Sequence, residues 1–332
     1  MAASVKDVAA LAGLSVGTVS NVLNRPDKVS EATRERVQNA IDQLGFVRND
    51  AARQLKAGQS QCVGLVVLDA SNPFFADVAL GAERLASEQG VSVLVGNSAH
   101  DPSRELTYLN LFDQQRLRGV LLSPVGTPPT LVARMRQRGI PTVLVDRADS
   151  SDLCSSVSVD DLRGGRLAAE HLAGSGRRRL CFVGGPEDLP QSADRLAGAR
   201  AAAASTGATL LVKTYPELTI AAGRRAAEEI AALPGADRPD GIFAANDLLA
   251  LGLLQGFTSH GIRVPEDAGL IGYDDIEFAA GAAVPLSSIH QPRLTIGETA
   301  MSLLLAEADE PTLPRRHVVL QPTLVARAST RR

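Results

Sequence analysis

Beyond residue 60 the chain alternates short apolar runs with helix-length segments, and that alternation leaves few folds open. "CVGLVVL", "VSVLV", "GVLLS" and "TVLVD" form one series; "RLCFVGG", "ATLLV", "GIFAAN" and "AGLIGYDD" form a second. Two consecutive βαβ series predict two doubly wound parallel sheets, each covered by helices on both faces. Ligands in such folds sit beyond the carboxyl ends of the strands. The polar residues that directly follow the apolar runs are therefore the ones to examine.

Before residue 60 only short helices can be read. Ser4 is placed to cap a helix carrying the stripe Val5, Val8, Ala9 and Ala12, which Gly13 ends. Ser15 caps a second helix whose Val19, Val22 and Leu23 face inward. After the turn "NRPDKV", Ser30 caps a third, with Val37, Ala40, Ile41 and Leu44 as its buried stripe and Gly45 as its stop. The first two helices flank the turn "GLS" as a helix-turn-helix would. With Val19, Val22 and Leu23 buried, Val16, Gly17, Thr18, Ser20 and Asn21 lie on the outer, N-terminal side, where a recognition helix meets base edges. An amphipathic pair that merely packs is the plainer alternative. Charge alone does not decide: residues 1–60 hold eight Lys/Arg against six Asp/Glu, and the remainder 26 against 31.

The stretches "VKDVAALAGLSVGTVSNVLN", "VSEATRERVQNAIDQLGF" and "RNDAARQLKAGQS" stand in order at the spacing of one family's headpiece. There and on to "QPTLVARAST" the chain resembles the LacI/GalR family of bacterial transcription regulators. The resemblance implies an all-α helix-turn-helix headpiece (1–48), a hinge helix and linker (49–60) and a two-lobed α/β core (61–332) like that of periplasmic binding proteins. Its N-lobe would span about 61–160 plus 292–320, and its C-lobe about 161–290 plus the C-terminal segment. By position Val16, Gly17 and Asn21 fall in the base-reading slots, with Ser15, Thr18 and Ser20 as phosphate or edge contacts. Only Asn21 is well equipped to read a base, for instance adenine. With direct readout this thin, DNA shape carries more of the specificity.

The segment "DAARQLKAG" has one large apolar residue, Leu55, and is too short to be a stable helix alone. In the resembling family this segment folds on DNA, pairs with its copy in the minor groove and wedges a leucine between base steps. Leu55 is then the wedge, with Arg53 and Lys56 meeting phosphates. A plain linker whose Leu55 touches the adjacent domain is the alternative.

The remainder resembles periplasmic sugar-binding proteins, and its strand-end residues suit such a cleft. Asn72, Phe74 and Phe75 ("SNPFF") follow the first run, Asp146 and Arg147 ("VDR") the fourth, and Asp161 ("VDDLRGG") lies near the crossover. Arg195 ("SADRLAG"), Asn246 ("AANDLLALG") and Asp274 ("GYDDIEFA") come from the second series, and Gln291 ("HQP") lies where the chain crosses back. Charged and amide groups beside aromatic faces are suited to binding a polyol. Asn246 and Asp274 could equally be helix caps, and the two arginines surface ion pairs. "VDR" with "SNPFF" is similar to ribose-type binding proteins. Leu218 stands where many such relatives have an aromatic, and Asp161 replaces a common asparagine, which disfavours a phosphorylated effector. A neutral pentose or hexose acting as inducer is expected, with a nucleobase-type corepressor as the alternative.

The expected partners are double-stranded operator DNA, a small effector and a second copy of the chain. No heptad is found near "RASTRR", so the expected assembly is a homodimer. No cofactor or metal is expected. The opening "MAASVKDVAALAG" lacks a secretory apolar stretch, and no run reaches the length of a membrane span, which argues against a secreted solute receptor. Cys62, Cys154 and Cys181 have no metal-type spacing and are read as reduced cytoplasmic thiols. Against an enzyme, G-x-G-x-x-G is absent, no lysine directly follows a glycine, and "GSG" is no nucleophile elbow.

Overall fold

The computed structural model describes residues 3–46, 60–126, 129–148, 153–186 and 189–331. It divides into two compact units, residues 1–60 and 61–332. In the first, α1 (Val5–Ala12), α2 (Val16–Asn24) and α3 (Glu31–Leu44) enclose a small core of Val8, Ala9, Ala12, Val19, Val37, Ala40 and Phe46. Ser4 and Asp7 form a reciprocal capping box, and Ser15 Oγ accepts from Thr18 N at 3.0 Å. Ser30 departs from expectation. It holds the cap position, but its hydroxyl meets Thr33 Oγ1 at 2.9 Å and bonds no helix N–H. Arg36 donates to Ala12 O at 2.7 Å, which satisfies a carbonyl at the open end of α1.

In the second unit every apolar run is a strand, and four further strands complete the sheets. The first sheet contains β1 (Cys62–Val67), β2 (Ser92–Asn97), β3 (Gly119–Leu122), β4 (Thr142–Val145), β5 (Ser155–Val159) and β11 (His317–Leu320). Its order is β2-β1-β3-β4-β5-β11, parallel throughout. The second contains β6 (Arg179–Gly184), β7 (Thr209–Thr214), β8 (Gly241–Ala244), β9 (Gly269–Asp274), β10 (Ser287–His290) and β12 (Thr323–Val325). Its order is β7-β6-β8-β9-β10-β12, and β12 runs antiparallel to β10, so this sheet is not wholly parallel. An antiparallel edge strand on a parallel sheet is a common compromise.

The chain passes between the two sheets after β5, after β10 and after β11. Twelve of its described elements are helices of the α type, of which nine belong to this unit. These nine are α4 (Pro73–Glu88), α5 (Pro102–Gln114), α6 (Pro129–Gln137), α7 (Asp161–Gly174), α8 (Pro190–Thr206), α9 (Ile220–Ala231), α10 (Asp247–Ser259), α11 (Glu277–Ala280) and α12 (Arg293–Asp309). The helices pack most extensively as α7 on α8, α9 on α10, and α4 on α12. The third pair carries the returning chain back against the first sheet. Among the described residues no helix is long and apolar enough to cross a membrane.

Candidate functional site

On the headpiece the outer face of α2 is open. Ser15, Val16, Gly17 and Asn21 are exposed, Val16 at 46%, while Thr18 and Ser20 are half-buried and Val19 is fully buried. Ser15 and Thr18 hydroxyls lie 2.9 Å apart and bond each other. A Cβ added at Gly17 would meet only Ser15 Oγ, at 3.6 Å. The face therefore presents one amide, one isopropyl group and an open backbone. Arg53, Leu55 and Lys56 lie outside the described residues.

The second unit holds a cleft of about 660 Å³ at the carboxyl ends of both sheets. Nine of the ten expected cleft residues line it: Asn72, Phe74, Phe75, Asp146, Arg147, Arg195, Asn246, Asp274 and Gln291. Asp161 does not. It begins α7, and its Oδ1 accepts from Arg195 Nε at 2.7 Å, so it holds the arginine from behind. Arg195 is 5% exposed; its other contacts are a bond to Ala245 O at 2.7 Å and a guanidinium seated 3.8 Å over the Tyr273 ring. It is a buried pair, not a surface one.

The two carboxylates that end equivalent strands are the site's most constrained groups. Asp146 follows β4 with φ 56° and Asp274 ends β9 with φ 104°, left-handed values that a non-glycine residue holds only when its surroundings demand it. Gln291 Nε2 donates to Asp274 Oδ1 at 2.7 Å, and the Asn72 side chain also bonds that carboxylate. Asn72 Oδ1 meanwhile caps α4 through Phe74 N at 3.0 Å. Asn246 caps α10 through Leu249 N at 2.9 Å and donates to Leu218 O at 3.1 Å, so its amide is engaged within the protein. Arg147 is half-buried, and its charge pulls the Asp194 carboxyl down against the upward push of burial. The Phe74 and Phe75 rings pack edge to face with centroids 5.0 Å apart.

Gln191 was not among the expected residues. From the first turn of α8 its Nε2 reaches the other sheet, donating to Asp146 O at 2.6 Å and to Asp146 Oδ2 at 3.2 Å. It stands four residues before Arg195, on the same helical face, and that spacing could have identified it. Asp146 Oδ1, Gln191 Oε1 and Gln291 Oε1 are buried and have no hydrogen-bond partner among the described residues. Burial and the nearby Asp161 push the Asp146 carboxyl up to about 8. Burial likewise raises Asp274 to about 6, against the pull of Arg195.

Both carboxyls hold protons more tightly in the folded core than in the unfolded chain, where an aspartate titrates near 4. The stabilisation this brings is complete below about pH 4 and is lost as pH rises through about 6 and then about 8. Asp247, raised by burial behind the cleft, adds to the same sign. Thermal unfolding of effector-free protein should therefore move to lower temperature between about pH 5 and pH 9. Asp146→Asn should flatten the upper part of that fall. A midpoint that climbs with pH across this window would contradict the assignment.

Residues 4–49 match the model of bacterial regulatory proteins of the lacI family, and residues 169–330 that of a periplasmic binding protein-like domain. The ribose operon repressor of Escherichia coli (strain K12) is 34% identical over 330 residues, 98% of this chain and 99% of that one. The chain belongs to the lacI family of bacterial regulatory proteins. It is a DNA-binding transcriptional repressor. The HTH-type transcriptional repressor PurR of Aliivibrio fischeri (strain ATCC 700601 / ES114) is 32% identical over 98% of both chains. Among solved structures, the lac repressor dimer bound to operator and the anti-inducer ONPF matches with a TM-score of 0.84, at 25% identity and 99% coverage of each chain. The two relatives differ little in identity to this repressor, so the chemistry of the cleft must separate their effectors.

Proposed function

We propose that this repressor binds a palindromic operator as a homodimer and that a neutral sugar, bound in the cleft without being transformed, acts as its inducer. The observation that carries the effector class is the set of buried polar atoms without partners among the described residues, Asp146 Oδ1, Gln191 Oε1 and Gln291 Oε1. Buried polar atoms without partners cost free energy, and sugar hydroxyls, which both donate and accept, serve all three whether or not Asp146 holds its proton. Ionised acidic residues also exceed basic ones along the lining, Asp69, Glu217 and Asp274 against Arg147 and Arg195, which opposes a phosphorylated ligand. Similarity to the ribose operon repressor makes ribose the first sugar to try. An effector that favours one lobe arrangement alters operator affinity, and the operator alters effector affinity by the same factor.

The test pairs a thermal-shift screen of pentoses, hexoses and nucleobases with operator titrations in the presence of each hit. A sugar should raise the unfolding temperature and weaken operator binding, by about 5–150-fold. If nucleobases alone stabilise the protein and tighten operator binding, the repressor is a corepressor system and the proposal fails. Operator binding itself should weaken steeply with salt through counterion release.

The hinge carries a separate prediction. Leu55→Ala should leave effector binding intact yet lower operator affinity at least about tenfold, because an alanine cannot hold a base step open. Fluorescence anisotropy on a labelled operator measures this, and unchanged affinity would rule out the wedge.

A further inference from the structure

We propose that Arg293, which does not line the cleft, is the positioning residue that sets the two halves of the effector site against each other. The proposal rests on the sugar-binding reading above and adds to it a residue that acts from behind the cleft. Arg293 stands where the chain leaves β10 of the second sheet and begins α12 against the first. Its place runs against local rules. A cation at the start of a helix opposes the helix dipole, and α12 has neither an acidic residue in its first turn nor a side-chain cap. What holds the guanidinium there is tertiary.

One side chain, 13% exposed, bonds both lobes. Arg293 Nε donates to Asp77 Oδ2 on α4 at 2.7 Å. Its Nη1 donates to the carbonyl oxygen of Asp274 and, at 2.7 Å, to that of Asp275. Both aspartates have left-handed backbone, with φ 104° and 58°. Bonds that fix this turn therefore also aim the Asp274 carboxylate into the cleft. The Asp275 carboxylate is occupied elsewhere, with His290 Nδ1 at 3.1 Å and Arg327 at 2.7 Å, so Arg293 engages that residue through its backbone. At the other end of the tie, Asp77 lies on the helix whose N-terminal end carries Asn72, Phe74 and Phe75. The guanidinium thus links the strand end bearing Asp274 to the helix bearing the first lobe's contribution to the site.

Holding α4 on α12 does not require this link. A Cβ on Gly81 would lie 2.1 Å from Leu294 O, and one on Gly297 2.0 Å from Val78 O, so the two helices already cross in backbone contact. Ile296, Ala300 and Met301 are fully buried beneath that crossing. The reach to the second sheet is what Arg293 adds.

The test is isothermal titration of the full-length protein with D-ribose, together with hydrogen exchange of the effector-free protein. Arg293→Met keeps the aliphatic stem and should lower ribose affinity at least about tenfold, because a site loses affinity when its supporting residues no longer hold its geometry. Exchange should quicken at the Asp275 and Ile276 amides, which bond Ser288 Oγ and Asp247 Oδ2. Arg293→Lys should recover part of the affinity, since it can pair with Asp77 but lacks the planar fork. Asp77→Asn, at a position 37% exposed, should show a smaller loss in the same direction, and serves alone if Arg293→Met does not fold. Combined with Arg293→Met it should add no further loss, because Asp77 acts through Arg293. Unchanged ribose affinity beside a lowered unfolding midpoint makes the pair a plain stabilising contact and overturns the proposal, and additive losses overturn the tie through Asp77. If the parent protein binds no ribose, the sugar reading fails by itself. Exchange at the two amides then decides this proposal: quickened in both single variants it stands, unchanged it falls.

Discussion

Arg195→Ala should abolish the response to effector and also weaken the core, a combined loss larger than that of any other single cleft change. The guanidinium is the shared partner of Asp161, the Ala245 carbonyl and the Tyr273 ring face. Truncation leaves the Asp161 carboxylate, 7% exposed, buried without its counter-ion. Breaking a buried pair in this way costs about 3–5 kcal/mol, mostly the penalty on the partner left behind. Chemical denaturation of the effector-free protein should show that loss, and isothermal titration should show no effector binding. Arg195→Lys separates charge from geometry: it keeps a cation near Asp161 but not the planar fork, so stability should recover more than effector affinity. A variant that retains full stability would mean that the Arg195–Asp161 pair contributes nothing net.

Gly165→Val should be strongly destabilising although it lies outside the cleft. A Cβ at Gly165 would lie 2.0 Å from Arg195 O, and one at Gly198, on the facing helix, 2.0 Å from Leu162 O. The obstacles are backbone atoms, which cannot swing aside, so α7 and α8 can touch only because both positions lack side chains. Forcing a branched side chain between them costs about 3 kcal/mol or more. The cost is also functional, because α7 begins with Asp161 and α8 carries Arg195. Separating the helices pulls the ion pair apart. The expected signature is a lowered unfolding midpoint together with weakened effector binding, even when the sample is cooled until fully folded. A stable Gly165→Val protein with normal effector affinity would refute the close crossing as the device that positions Arg195.

Much of the architecture was legible because apolar periodicity reports directly on which face of an element is buried. Val8, Ala9, Ala12, Val19, Val37 and Ala40 could be named from spacing alone, and all are buried. The eight apolar runs became strands for the same reason. The strands that escaped notice include those leading into the crossings. β5 and β10 begin with paired serines yet are largely buried, because partners far along the chain satisfy their hydroxyls. Ser155 bonds Glu307, Ser156 meets His317 Nδ1 at 2.9 Å, and Ser288 donates to Asp247 at 2.7 Å. A serine-rich stretch reads as a loop until such partners are in place.

By itself, then, the amino-acid order determined two wound sheets, a three-helix headpiece with an open outer face, and strand ends rich in carboxylates, amides and arginines. Those are local properties, set by the periods of helix and strand and by turn chemistry. Tertiary structure alone decided how those residues divide their work: Asp161 behind Arg195, Asn246 as a cap, and Gln191 reaching 45 residues back along the chain to Asp146. The physical reason is that three passages between the sheets bring distant strand ends to one place, and no sequence period records which of them will meet.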